Sequence, residues 1–289
     1  MQSPFSMETR PRPIPAQHAE VPPPSPFLLA LYYVAVRFRL GWNFRSLRIA
    51  NPDRFPADNQ PVIVFMNHPS WWDPAVGLLI HHRFHPGGSF YAPIDETALA
   101  RVPYLRRLGF FPIRTGSISG TRRFFIDARS VLSRPGAILW VTPEGEFTDP
   151  RERPIRLRRG LAKLLSTLRL QNSEPLETGR QSIGPLTLLP MALEYPFWDG
   201  IRPDILASFG EPIHIEDGKA IHIDEWHQIL TQALTSAQND LAEMVVNRQA
   251  GRFHVLFFGP PGPGAFLRLL RGLLPLFRRT SLPKTKGQP

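Results

Sequence analysis

The sequence predicts an α/β fold: a mixed, largely parallel central sheet flanked by helices, with an apolar helix before it and a basic amphipathic helix after it. Two observations carry this expectation. From residue 61 onward, short β-rich runs alternate with stretches of helical periodicity, the pattern of βα units rather than of a sandwich or a helical bundle. The chain has 289 residues, of which 42% are hydrophobic and 20% charged, enough for one large core with decorated ends. The division expected is a Pro-rich tail over 1–26, a domain over 27–250 and a basic amphipathic tail over 251–289.

In chain order, residues 1–26 are Pro-rich and polar and offer little apolar surface to offset the entropy of ordering, so they are read as a disordered tail. Arg10 and Arg12 stand there with no apolar run close behind, unlike a cleaved signal peptide, and the protein is expected to stay in the cytoplasm. "SPFLLALYYVAVRFRL" then offers Ser25 as a helix N-cap, Pro26 at the first position, and apolar residues nearly all round. Such a helix is either buried or lies on a membrane. Its apolar stretch from Phe27 to Val36 falls short of the roughly 20 residues that a spanning helix needs, so any membrane contact should be peripheral.

Strands are expected near 61–66, 89–93, 109–113, 136–142, 186–194 and 204–210, and helices near 74–85, 96–107, 119–133, 157–169 and 223–248. Residues 171–185 read as a surface loop. In "GAFLRLLRGLLPLFRR", residues 264–279, Phe266, Leu269, Leu270, Leu273, Leu276 and Phe277 share one face and Arg268, Arg271, Arg278 and Arg279 the other. That basic amphipathic helix suits either the surface of an anionic bilayer or the protein's own core.

A formal charge of +10 implies an anionic partner, whether nucleic acid, a membrane surface or an acidic substrate. No glycine-rich loop, zinc module or aromatic-basic signature accompanies it, so nucleic acid is not expected. The absence of cysteine rules out a disulfide framework, a thiol nucleophile and a Cys-based metal site. In "HHRFH", His81 and His85 stand at i and i+4, a spacing that holds zinc, but no third ligand can be assigned and a helix end explains them better. No metal or cofactor is expected.

The stretch "NHPSWWDP", residues 67–74, follows the apolar run at 62–66 and places His68 and Asp73 in a short polar interruption. A His near its ordinary pKa of roughly 6.5, oriented by a carboxylate, is suited to take a proton from an attacking hydroxyl. Equally, Asp73 and Pro74 read as a helix cap and first-turn Pro. Spacing alone leaves both readings open.

Three further stretches bear on that choice: "GFFPIR" (109–114), "VTPEGEF" (141–147) and "LLPMALE" (188–194). With Asn67, His68 and Asp73 matching N-H-x-x-x-x-D, these four in order resemble the motifs of the glycerolphosphate and lysophosphatidate acyltransferase superfamily. The resemblance implies transfer of a fatty acyl group from a thioester, acyl-CoA or acyl carrier protein as co-substrate, to a hydroxyl of a lysophospholipid, glycolipid or related lipid at the cytoplasmic face of a membrane. It gives His68 as general base and Asp73 as its orienter, with Asn67, Arg114, Glu144 and Gly145 at the acceptor site. The third motif of the family continues P-E-G-T-R-S, whereas Glu146 and Phe147 follow Gly145 here, a poor pair for a phosphate. That departure puts the acceptor in doubt and keeps open a catalytically impaired lipid-binding protein of the same fold. "DPRERPIRLRRG" downstream brings Arg151, Arg153, Arg156, Arg158 and Arg159, which either restore an anion site or contact headgroups.

Overall fold

Every side chain of Val62–Met66 is buried, which requires cover on both faces of its sheet. The computed structural model, which describes residues 20–57, 59–168, 185–198, 200–215 and 221–260, supplies that cover. Among the described residues nine strands form one sheet: β1 (Ser46–Ala50), β2 (Val62–Met66), β3 (Ser89–Asp95), β4 (Phe110–Ile113), β5 (Ala137–Val141), β6 (Leu186–Glu194), β7 (Ile205–Phe209), β8 (Ile213–Ile215) and β9 (His254–Phe258). Their order is β4-β3-β5-β2-β6-β7-β1-β9, with β8 also on β6. The pairs β4-β3, β3-β5, β5-β2, β2-β6 and β7-β1 are parallel, and β6-β7, β6-β8 and β1-β9 antiparallel. The sheet is thus mixed and largely parallel, as expected.

Period-two alternation assigns each face. Val62, Val64 and Met66 of β2, with Ile138 and Trp140 of β5, meet α1 (Pro26–Asn43) and α2 (Asp73–Phe84). Ile63, Phe65, Leu139 and Val141 meet α4 (Ile118–Leu132), α5 (Gly160–Ser166) and α6 (Ile223–Val246). The expected 96–107 helix is instead α3 (Glu96–Arg101) followed by a 3-10 turn at Pro103–Leu108, because Pro103 cannot donate to a continuing helix.

Pro190 stands inside β6, where a missing N–H would break a ladder. Its parallel partner is Phe65, but on the other edge β8 pairs only Leu186–Leu188 and β7 begins at Met191. Pro190 therefore falls in the gap between two successive neighbours, and its carbonyl still accepts from Gly210 N at 2.9 Å.

Three strands were not expected. β1 and β8 are short runs, and β9 lies within the stretch read as tail, where it pairs with β1 in the sheet. The described part of the N-terminal stretch is also held: Val21 is buried, its carbonyl accepts from Arg134 Nη2 at 2.6 Å, and Ser25 N donates to Arg107 O at 2.7 Å. Ser25 caps α1 as expected, Oγ accepting from Leu28 N at a long 3.5 Å. Among the described residues no helix is long and apolar enough to cross a membrane. The expected helix over 264–279 and most of the loop over 171–185 lie outside the described residues.

Candidate active site

The carboxyl ends of β2, β3, β4 and β5 converge on one edge of the sheet, where open α/β folds place their ligand sites. At the end of β2, Asn67 is fully buried; its Nδ2 donates to Leu193 O at 3.0 Å and its Oδ1 accepts from Leu193 N at 2.8 Å. Both ends of the amide are spent on β6, so Asn67 fixes where the loop leaves the sheet and does not line the cavity beside it.

His68 is held from three sides. Its N–H donates to Glu144 Oε2 at 2.7 Å, its carbonyl accepts from Thr148 N at 3.1 Å, and its Nδ1 lies 2.6 Å from Asp73 Oδ2. A carboxylate only accepts, so Nδ1 carries the proton and Nε2, which has no hydrogen-bond partner among the described residues, presents a lone pair. Asp73 is fully buried; Oδ2 also accepts from Ser70 N at 3.0 Å, and Oδ1 accepts from the Tyr195 hydroxyl. Burial, reinforced by the Asp73 charge, holds the Tyr195 phenol well above its ordinary pKa, so it remains a donor.

Asp73 is not the N-cap of α2. The cap position is Trp72, in helical geometry and with no side-chain cap bond, while Asp73 is the first helical residue. Its carboxylate turns back to the loop and His68 rather than down to the helix N–H groups, at the positive end of the helix dipole. A helix start and the partner that orients the His68 ring thus coincide in one residue.

A cavity of about 510 Å³ opens on this edge, lined by His68, Asp73, Arg114 and Gly145 among polar and small residues and by Met66, Phe90, Phe110 and Trp140 among apolar ones. Gly77 of α2 widens it, since a Cβ there would stand 3.2 Å from the Trp140 ring. Glu144 is buried and does not line the cavity; burial raises its pKa against the lowering by Thr148 and then by the His68 N–H and ring. Its geometry is that of a clamp on the His68 backbone. Gly145 has φ +70°, a conformation glycine adopts without cost. Arg114 is exposed at the end of β4, its Nε 2.7 Å from Glu96 Oε2. The Phe147 ring stands 4.4 Å from that of His68, and Trp71, largely exposed, stacks on Trp72 at 4.0 Å.

The His81 and His85 pair lies elsewhere. His81 is buried on α2, its Nε2 3.3 Å from Gly88 O, and desolvation lowers its pKa to about 4. Among the described residues no group of three His, Asp or Glu side chains is placed to hold a metal ion.

The family model described as Acyltransferase matches residues 46–193, just over half of the chain. The chain belongs to the Acyltransferase family. The match begins at β1 and ends in β6, so it contains His68, Asp73, Arg114, Glu144 and Gly145 and stops just short of Tyr195. A search of curated proteins found no match. Among solved structures, the chain is similar to the 1-acyl-sn-glycerophosphate acyltransferase PlsC from Thermotoga maritima, at 17% identity and a TM-score of 0.48, covering 74% of this chain and 80% of that one.

Two residues of this acyltransferase escaped sequence reasoning. Tyr195 follows the fourth motif directly, but only the β2–β6 register brings its hydroxyl to Asp73. Ser70 contributes a backbone N–H, to which side-chain patterns are blind.

Proposed function

We propose that this protein transfers a fatty acyl group from an acyl thioester, acyl-CoA or acyl carrier protein, to a hydroxyl of a lipid acceptor. The observation that carries the reading is the 2.6 Å contact of His68 Nδ1 with a fully buried Asp73, at the wall of a cavity with apolar depth for a chain. His68 Nε2 takes the acceptor's hydroxyl proton as the oxygen attacks the thioester carbonyl. Asp73 supports the imidazolium that forms. The tetrahedral intermediate expels the thiolate, which takes the proton from Nε2, and no covalent acyl-enzyme is needed. Asn67 and Glu144 act as positioning residues for His68, while Arg114 and Gly145 border the substrate.

The membrane location rests on α1. Phe27, Leu31, Val34, Phe38 and Trp42 recur at helical spacing and are 60–76% exposed, an apolar stripe that no other described element covers. It supports peripheral association with the cytoplasmic face, where the acceptor resides and where the net charge of +10 favours anionic lipid.

Incubation of purified protein with labelled acyl-CoA and lysophospholipid or glycolipid acceptors tests the reaction. His68→Ala is expected to abolish transfer with the fold retained by circular dichroism, and Asp73→Asn to lower kcat by about 10²–10⁴ through loss of the correct tautomer. Full activity in His68→Ala would sink the reading. Lipid binding without turnover by the wild type would favour the impaired lipid-binding alternative, which the Phe147 ring against His68 motivates.

A further inference from the structure

Glu146 and Phe147 leave the loop after β5 without a cation of its own, but the Arg-rich segment that follows folds back onto it. Of its five arginines, Arg151 pairs with Glu194 at 3.0 Å, Arg153 bonds Asn239 and two carbonyls, and Arg159 pairs with Asp224. Arg156 is exposed and does not line the cavity. Arg158 alone of the five lines the cavity that His68 lines.

Arg158 is held by main chain rather than by acid. Its N–H donates to Pro143 O at 2.7 Å, and its Nε donates to Glu144 O at 3.2 Å. Its side chain lies across Gly145: a Cβ at that residue would stand 2.4 Å from Nε and 2.6 Å from Cδ, so only glycine admits this path. Among the described residues the guanidinium has no ion pair, and its terminal Nη1 and Nη2 have no hydrogen-bond partner; Glu146 borders the same cavity without pairing with it. The other guanidinium on the cavity wall, Arg114, is already opposed by Glu96.

We propose that Arg158 is the anion subsite of this cavity, binding a phosphate of a substrate bidentately through Nη1 and Nη2, in place of a cation immediately after Gly145. A guanidinium anchored at Nε keeps its two terminal donors in a fixed fork that matches phosphate oxygens and loses little freedom on binding. The phosphate belongs either to the acceptor or to the pantetheine or nucleotide part of the thioester donor. The inference rests on the proposed acyl transfer.

The test compares wild type, Arg158→Gln and Arg158→Lys in the full chain. One arm sets lysophosphatidate against monoacylglycerol with acyl-CoA as donor; the other sets acyl-CoA against S-acyl-N-acetylcysteamine, which has no phosphate, with lysophosphatidate as acceptor. In one arm Arg158→Gln is expected to lower the kcat/KM ratio of the phosphate-bearing over the phosphate-free partner about tenfold or more, chiefly through KM, with partial recovery in Arg158→Lys. The arm that responds identifies the source. Equal losses for every pair, or none, overturn the inference. If wild type transfers nothing, that defeats the proposed reaction, and calorimetric binding of short-chain lysophosphatidate and of CoA to wild type and Arg158→Gln decides the subsite. Weakening of either by about tenfold supports it, and unaltered affinity or no binding to wild type overturns it. Should Arg158→Gln lose its thermal transition, Arg158→Lys measured on the same pairs carries the comparison: a lowered ratio in one arm supports the subsite and unchanged ratios overturn it.

Discussion

Asp73 is a buried carboxylate with three partners: the His68 ring, Ser70 N and the Tyr195 hydroxyl. Each donates to a carboxylate that burial deprives of water, and in the proposed reaction that carboxylate supports His68 when it takes a proton. Tyr195→Phe removes the hydroxyl and leaves its ring packed against Phe44 at 5.5 Å. A hydrogen bond to a buried charge contributes about 1.5–3 kcal/mol, so kcat is expected to fall roughly tenfold or more with little change in KM. An unchanged kcat in steady-state assays would rule out this role. At this scale His68 and Asp73 were legible as a motif, whereas Tyr195 was not, since no local pattern announces a donor 122 residues away.

Elements show how much periodicity alone conveys. Strands β2 to β7 lie close to their expected spans, because runs such as Val62–Met66 and Ala137–Val141 are apolar at every position and bounded by polar breaks. β1 is Ser46, Leu47, Arg48, Ile49 and Ala50, too short and too mixed to stand out; β7 and β9 pair its two edges, and its apolar side chains join the clusters on the faces of the sheet. Its anchor is also tertiary: Arg45 Nε and Ser46 Oγ both donate to the fully buried Asp204, at 2.9 and 2.5 Å. α1 was ambiguous for a related reason. Apolar all round in sequence, it buries Val36 and Leu40 and leaves the stripe of Leu31, Phe38 and Trp42 exposed, which only the packed structure distinguishes. Leu31→Glu with Phe38→Glu adds two charges to that stripe and touches none of the buried face. Vesicle co-sedimentation with anionic liposomes is expected to fall at least about fivefold while the thermal midpoint stays within a few degrees. Equal sedimentation of the double variant would mean that α1 is not the membrane face.

For the whole molecule, buried titratable groups set how stability depends on pH. His81 has its pKa lowered from 6.5 to about 4 by burial. Between those values the unfolded His81 binds a proton that the folded one refuses, so its contribution falls as pH falls through that window, by about 3 kcal/mol in all. Glu144 and Glu194 have raised pKa values, again chiefly from burial, and act with the opposite sign: they disfavour the fold as pH rises past their ordinary range. The difference between variants therefore isolates His81. Denaturant unfolding of wild type and His81→Leu at pH 7 and pH 5 is expected to show the wild type losing more stability on acidification. Parallel slopes in the two proteins would refute the assignment.

The sequence by itself determined the α/β class, the succession of most elements and the His68 and Asp73 pair, because alternation, apolar runs and the spacing of a short motif are local properties of a chain. Tertiary structure decided what those residues can do. The β2–β6 register turned Asn67 inward and brought Tyr195 to Asp73, and the clamp of Glu144 on the His68 backbone joined two loops 76 residues apart. Packing against β5 made His81 a neutral core residue, and the path across Gly145 brought Arg158 to the cavity. Each depends on distances between segments far apart in the chain, set by the packing of two helical layers on one sheet.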